Sequence, residues 1–290
     1  MGPADKNLGR RALLIGINYI NNPEISLNGC IDDIINARNM LIDAYDYDVA
    51  EITMLRDDMD NGITIPTHSN IISELEKIVS MSAALDEVWV QYSGHGSQIN
   101  NTGHLGDVIV PVDYETVGFI TDDMLFNILK YVDTNCTVVL IFDCCHSGNI
   151  CKFPWTANMQ PNNTVKIERT THNDIVHISP NMYALSGCKD SQTSSDTYSR
   201  ELNEGVGAFS NAINECLRAS HHQIDILALY KNICKRLADD GYSQTPVLTS
   251  GNKEPNYIFS RTCAPIQITK VKSVDVKLAI QRNAQPNHFI

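Results

Sequence analysis

Two short stretches of this chain carry residue types that could do covalent chemistry. Tyr92-Ser93-Gly94-His95-Gly96 sets a histidine between glycines, and some fifty residues later Asp143-Cys144-Cys145-His146-Ser147-Gly148 sets paired cysteines beside an acid. A thiolate attacks carbonyl carbons, and an imidazole within reach takes up and returns the proton. A cysteine and a histidine on two strand ends can therefore form a nucleophile and its general base. Side chains alternate along an extended chain, so Asp143 and Cys145 face one side and Cys144 the other. The glycines beside His95 leave room for a bound peptide to approach the backbone. These residues alone leave other uses open. A histidine among glycines serves turns, and a lone buried cysteine fills cores as a small hydrophobe. Redox chemistry would want Cys-x-x-Cys, a spacing this chain lacks. Cys145, His146 and His95 are metal-ligand types, but no pair has zinc-finger spacing.

The elements that must hold these motifs are legible from periodicity. Apolar, β-rich runs predict strands at 11–18, 49–55, 87–92 and 137–142, and again at 175–186 and near 256–260. Between them the helical period predicts helices over 30–45, 70–84, 122–131, 205–219 and 224–239. Thr121 is the expected cap of the third, with Asp122 and Asp123 favoured in its first turn by the helix dipole. Residues 149–173 and 187–204 lack periodicity and are read as exposed loops, and 261–290 as a C-terminal tail. Strands alternating with helices predict an α/β fold: a mostly parallel central sheet with helices on both faces, in a single domain over 1–290 with its core at 11–260. In such sheets functional groups gather beyond the carboxyl ends of the strands, where both motifs fall.

Composition narrows the function classes. A chain of 290 residues buries roughly three quarters of its unfolded surface and needs no staples. Acids outnumber bases 34 to 22, a net charge of −12, which argues against a nucleic-acid binder and leaves cationic substrates open. The longest apolar run, Val138 to Phe142, falls far short of the roughly 18 residues of a membrane span. The opening MGPADKNLGRR has no apolar signal core, and nine cysteines, an odd number without framework spacing, suit a reducing compartment. The expectation is a soluble cytoplasmic monomer with peptide or protein partners, no nucleic acid and no membrane.

The two motifs in this order, fifty residues apart, resemble the metacaspases, cysteine peptidases of the caspase-like clan. The resemblance runs from Arg11 to about Phe259. It includes the Leu13-to-Asn18 strand, the Leu27-to-Asp33 segment, Ile109-Val110-Pro111-Val112-Asp113 and Leu185-Ser186-Gly187-Cys188. It implies a caspase-like three-layer α/β/α fold, His95 as base, Cys145 as nucleophile, and an oxyanion hole on the backbone N–H groups of Gly96 and Cys145. It also implies an acidic pocket for the residue before the scissile bond, matched here by Asp33 and Asp143 with Ser93 nearby. Two carboxylates there favour Arg or Lys. Without the resemblance, Asp33 reads as an exposed helix-start acid.

The family's calcium site carries over incompletely. Asp122 and Asp123 match two of its four aspartates, but Gly106 stands where the third belongs and Lys152 where the fourth does. A lysine in a calcium shell is wrong in both charge and ligand count. Lys152 can instead reach Asp122 or Asp123 and tie the segment after the nucleophile to the helix start. The alternative is that Asp107 or Asp113 rebuilds a weaker site. The expectation is activity without a required cofactor, calcium included.

The resulting expectation is a cysteine endopeptidase of short, type I-like layout that cleaves after Arg or Lys through an acyl-enzyme. Alternatives are a catalytically silent caspase-like interaction module and an asparaginyl peptidase of the same clan. Self-cleavage is expected at Lys152, Lys166 or Arg169, in the segment read as an exposed loop.

Overall fold

A computed structural model describes residues 9–58, 64–101, 104–145, 147–170, 178–187 and 207–262. Numbered along the chain, its strands are β1 (Arg10–Gly16), β2 (Ile52–Arg56), β3 (Glu87–Ser93), β4 (Gly96–Asn101), β5 (His104–Ile109), β6 (Ile120–Thr121) and β7 (Thr137–Asp143). Then come β8 (Trp155–Met159), β9 (Val165–Arg169), β10 (Met182–Ser186), β11 (Gln223–Asp225), β12 (Val247–Ser250) and β13 (Ile258–Ser260). The helices are α1 (Cys30–Tyr45), α2 (His68–Met81), α3 (Tyr114–Val117), α4 (Asp122–Leu129), α5 (Ala208–Ala219) and α6 (Ile226–Asp239).

Eight strands form the central sheet in the order β2-β1-β3-β7-β10-β12-β8-β9. The first five run parallel, and β12, β8 and β9 continue antiparallel. Strands buried on both faces read as unbroken apolar runs, as Thr137–Asp143 (TVVLIFD) does. Alternation splits each run between two cores. Val138, Leu140, Phe142 and Cys144 join the side of α2 and α4, while Val139 and Ile141 join the side of α1, α5 and α6. Helices on both faces of a mostly parallel sheet give the expected three layers. Thr67, Thr121 and Asp225 start α2, α4 and α6 by accepting the backbone N–H three residues on.

Three sequence readings change. Of the stretch 149–173, residues 149–170 are no exposed loop, and 171–173 lie outside the described residues: Ile150, Cys151 and Phe153 are buried, and β8 and β9 pair as a hairpin that extends the sheet. Its apolar content is low because β9 lies at the sheet edge and needs one covered face only. The strand near 256–260 is β13, which pairs with β11 outside the central sheet, and β12 takes the central place instead. A second sheet, β4-β5-β6, follows directly on His95. The proposed loop at 187–204, the tail beyond 262 and His146 lie outside the described residues, Gly187 excepted. Among the described residues no helix is long and apolar enough to cross a membrane.

Candidate active site

The register places the two motifs side by side. Ser93, the last residue of β3, pairs with Asp143, the last of β7. His95 follows one residue beyond Gly94, at the turn into β4, and Cys145 two residues beyond Asp143. The two chains touch at Gly96, where a Cβ atom would lie 2.1 Å from the Cys145 carbonyl oxygen and 3.0 Å from Cys144 Sγ. A side chain there would need that backbone to shift, so glycine keeps the two motifs in close contact at this point.

Two buried tyrosines hold the histidine turn. The His95 N–H donates to Tyr19 Oη at 3.0 Å, and Tyr92 Oη donates to the His95 carbonyl at 2.7 Å. Both hydroxyls also bond Val110, on the strand return from β5. The Tyr19 ring lies 4.7 Å from the imidazole, centroid to centroid. The imidazole itself is 2.8 Å from the Ile25 carbonyl through Nε2. A carbonyl can only accept, so Nε2 carries the proton and Nδ1 presents the lone pair. Burial pushes the His95 pKa down, partly offset by that bond. The ring is thereby kept toward its neutral form and oriented by Ile25.

The paired cysteines separate as alternation requires. Cys144 is buried against the α2/α4 core, and burial, followed by the neighbouring Cys145, holds its thiol well above the usual range. Cys145 is half-exposed. Ser147 steadies the turn, its hydroxyl donating to the Cys144 carbonyl at 3.0 Å.

Two carboxylates meet at the same strand ends, Asp143 as the last residue of β7 and Asp33 on Ser93, the last of β3. Asp33 is 4% exposed and Asp143 1%, so neither is a solvated helix-start acid. Ser93 Oγ donates to Asp33 Oδ2 at 2.7 Å, and the Ser210 N–H in the first turn of α5 donates to Asp143 Oδ2 at 2.9 Å. Gly207, with φ +93°, starts α5 against Asp33; a Cβ there would sit 3.5 Å from Oδ1. Burial, then the charge of Asp143, pushes the Asp33 pKa up to about 8, against a lowering by the Ser93 bond. Burial pushes Asp143 up to about 6, moderated by Ser210 and the Gly207 backbone. The pair resists holding two charges until a cation joins it.

The acids of α4 have a different environment. Lys152 Nζ lies 2.5 Å from Asp123 Oδ1 and 3.3 Å from Asp122 Oδ1. Asp122 Oδ1 also accepts the Asp123 N–H, and Gly106 faces Asp122 without a side chain. Asp107 accepts from Gln98 Nε2 at 2.9 Å, and Asp113 accepts the His68 N–H at 2.7 Å, so both acids that could rebuild a site are engaged elsewhere. Among the described residues no three His, Cys, Asp or Glu side chains gather as a metal site. These residues do not fit calcium, because an ammonium fills the space between the two acids. Of the other self-cleavage candidates, Lys166 and Arg169 lie on β9. Lys166 pairs with Glu168, and Arg169 stacks over Trp155.

Sequence reasoning missed the Ile25 carbonyl, the two tyrosines, and Ser210 with Gly207. Backbone acceptors leave no mark in a sequence, and the α5 start lies more than sixty residues from Asp143.

With helices on both faces of this sheet and a cysteine and a histidine at its carboxyl end, the architecture is that of a caspase-like cysteine peptidase. Caspase-1 of Spodoptera frugiperda is similar in structure, with TM-score 0.59 at 14% identity over 88% of this chain and 90% of that one. At that identity the likeness speaks for the fold. The family model for the metacaspase, peptidase C14 domain matches residues 10–154. Metacaspase-1 of Saccharomyces cerevisiae is 31% identical over 84% of this chain and 66% of that protein. Metacaspase-1 of Candida glabrata is 31% identical over 84% of this chain and 73% of that protein. The chain thus spans just under two thirds of the length of the Saccharomyces relative. It belongs to the metacaspase family, a family of cysteine peptidases.

Proposed function

We propose that this chain is an endopeptidase that cleaves protein substrates after Arg or Lys, with Cys145 as nucleophile and His95 as base. The observation that supports the specificity is the buried pair Asp33 and Asp143 at the strand ends that lead into the two motifs, with Asp143 two residues before the half-exposed Cys145. A guanidinium or ammonium supplies the charge this pair needs. It draws Asp33 down from about 8 and releases a proton on binding. An Asp side chain would add a third negative charge, a cost on the order of several kcal/mol where water is excluded.

The chemistry is acyl transfer. His95 Nδ1 takes the Cys145 thiol proton, and the thiolate forms a C–S bond to the substrate carbonyl carbon. Backbone N–H groups of Gly96 and Cys145 receive the oxyanion. As the tetrahedral intermediate collapses, the C–N bond breaks and Nδ1 returns its proton to the leaving amine. Water, deprotonated by the same nitrogen, then attacks the thioester and frees the acid. Throughout, Nε2–H stays on Ile25.

Peptides identical except for Arg, Lys, Asn or Asp before the scissile bond test the reading, with wild type beside Cys145→Ala. Turnover of Arg and Lys peptides by wild type alone is the expected result. Equal turnover of Asp and Arg peptides, or cleavage after Asn only, would overturn it.

A further inference from the structure

The segment that carries Cys145 runs from the end of β7 to β8. Ile150, Cys151 and Phe153 turn into the core on one side of it. Lys152 between them adopts φ 51°, a left-handed conformation that a lysine takes only when something holds it there. That twist throws its side chain outward, across 29 residues of sequence, onto the start of α4.

The partner acids are not isolated either. Thr121, which caps α4, pairs in β6 with Val108 of β5, and β5 pairs with β4, whose Gly96 follows His95. The contact therefore closes a ring. It runs from Cys145 to Lys152, across to Asp122 and Asp123, through β6, β5 and β4, and back to His95. Gly96 against the Cys145 carbonyl is the opposite join of the same ring. We infer that the Lys152 ammonium is a built-in counter-ion that locks the Cys145 segment to the strands carrying His95, in the place where the family resemblance expects calcium. Burial alone would lower the lysine's pKa, but Asp123 and Asp122 outweigh it and hold the ammonium above its ordinary value. Lys152 is thus a positioning residue. Its ammonium is engaged by Asp123 and Asp122, and its effect falls on how well Nδ1 and Sγ meet.

This inference rests on the peptidase reading for its kinetic arm and stands apart from it in its binding arm. Wild type, Lys152→Arg, Lys152→Ala and Lys152→Asp are compared in chelator and in millimolar calcium, by Arg-peptide kinetics, thermal unfolding and titration calorimetry. Wild type and Lys152→Arg are expected to show neither calcium binding nor a calcium response in activity or Tm. Lys152→Ala is expected to lose about fivefold in kcat with KM little changed, in both conditions. Lys152→Asp places a third carboxylate beside Asp122 and Asp123. It is expected to bind calcium, rise in Tm with it and regain activity only in its presence. Calcium binding by wild type, or Lys152→Ala with undiminished kcat, would overturn the inference. If even wild type cleaves nothing, the peptidase reading falls, and calorimetry still decides between ammonium and metal.

Discussion

Two pairs of carboxylates in this molecule meet opposite fates. Asp33 and Asp143 lie at the ends of β3 and β7, buried and hydrogen-bonded by Ser93 and Ser210, and among the described residues neither has an ion-pair partner. Asp122 and Asp123 lie at the start of α4 with Lys152 between them. The second pair is satisfied from within the chain. The first is left with its pKa values raised, and on the proposed reading a substrate cation answers it from outside. Acidity alone does not identify a binding pocket; whether the chain answers the charge itself does.

The largest expected effect separates chemistry from this charge recognition. Cys145→Ala and His95→Ala should each lower kcat/KM by roughly a thousandfold or more. Calorimetry with an uncleaved Arg peptide should find its affinity little changed, because the acid pair remains. A parallel loss of binding would mean that the pocket depends on the nucleophile. Cys144→Ala, on the opposite face, should retain most of the activity.

Next come the acids themselves. Asp33→Asn or Asp143→Asn should lower kcat/KM on Arg peptides at least about tenfold, or roughly 1.4 kcal/mol in the transition state. Asp122→Asn should leave the preference for Arg over Asp peptides as it is. If both pairs shifted that preference alike, the contrast between them would collapse.

The contrast also has a pH signature. Asp33 and Asp143 are raised above the ordinary carboxylate range, so between about pH 4 and 8 the folded chain holds more protons than the unfolded one. Their contribution to stability therefore falls as pH rises through that window, while Arg-peptide binding strengthens between about 6 and 8 as the pair ionises. Thermal unfolding and peptide titration across pH, with Asp33→Asn as the flattened control, measure both slopes. A wild type whose peptide affinity is level from pH 6 to 8 would show that the pair is already ionised.

The smallest effect concerns self-cleavage. Lys166 and Arg169 are held on β9 by pairing with β8, and Lys152 is held by its acids. Cutting at these residues requires the hairpin to open first. Mass spectrometry of wild type against Cys145→Ala should find only slow nicking there. Complete cutting on purification would show that the edge strand is weakly held.

Much of the site could be read before the structure because strands have a period of two. That period separates Cys144 from Asp143 and Cys145, and the structure shows that the side of Cys144 is the α2/α4 core. The Thr121 cap and the charge of Lys152 were equally legible, being side-chain features of local segments. The β8–β9 hairpin was not, since Trp155–Met159 and Val165–Arg169 mix Thr, Asn, Lys and Glu among few apolar residues. An edge hairpin covered on one face needs no more. Neither could the sequence show that Gly207 and Ser210 return to cap Asp143, because that contact depends on where α5 docks.

The bond from Nε2 to the Ile25 carbonyl also decides which nitrogen a reagent can find. An electrophile tethered to an arginyl peptide and aimed past the thiol meets an imidazole with one face already spent. Its covalent mark would fall on Nδ1, and the resulting adduct, read by the position of the label on the ring, would be a chemical imprint of the chain's own tautomer.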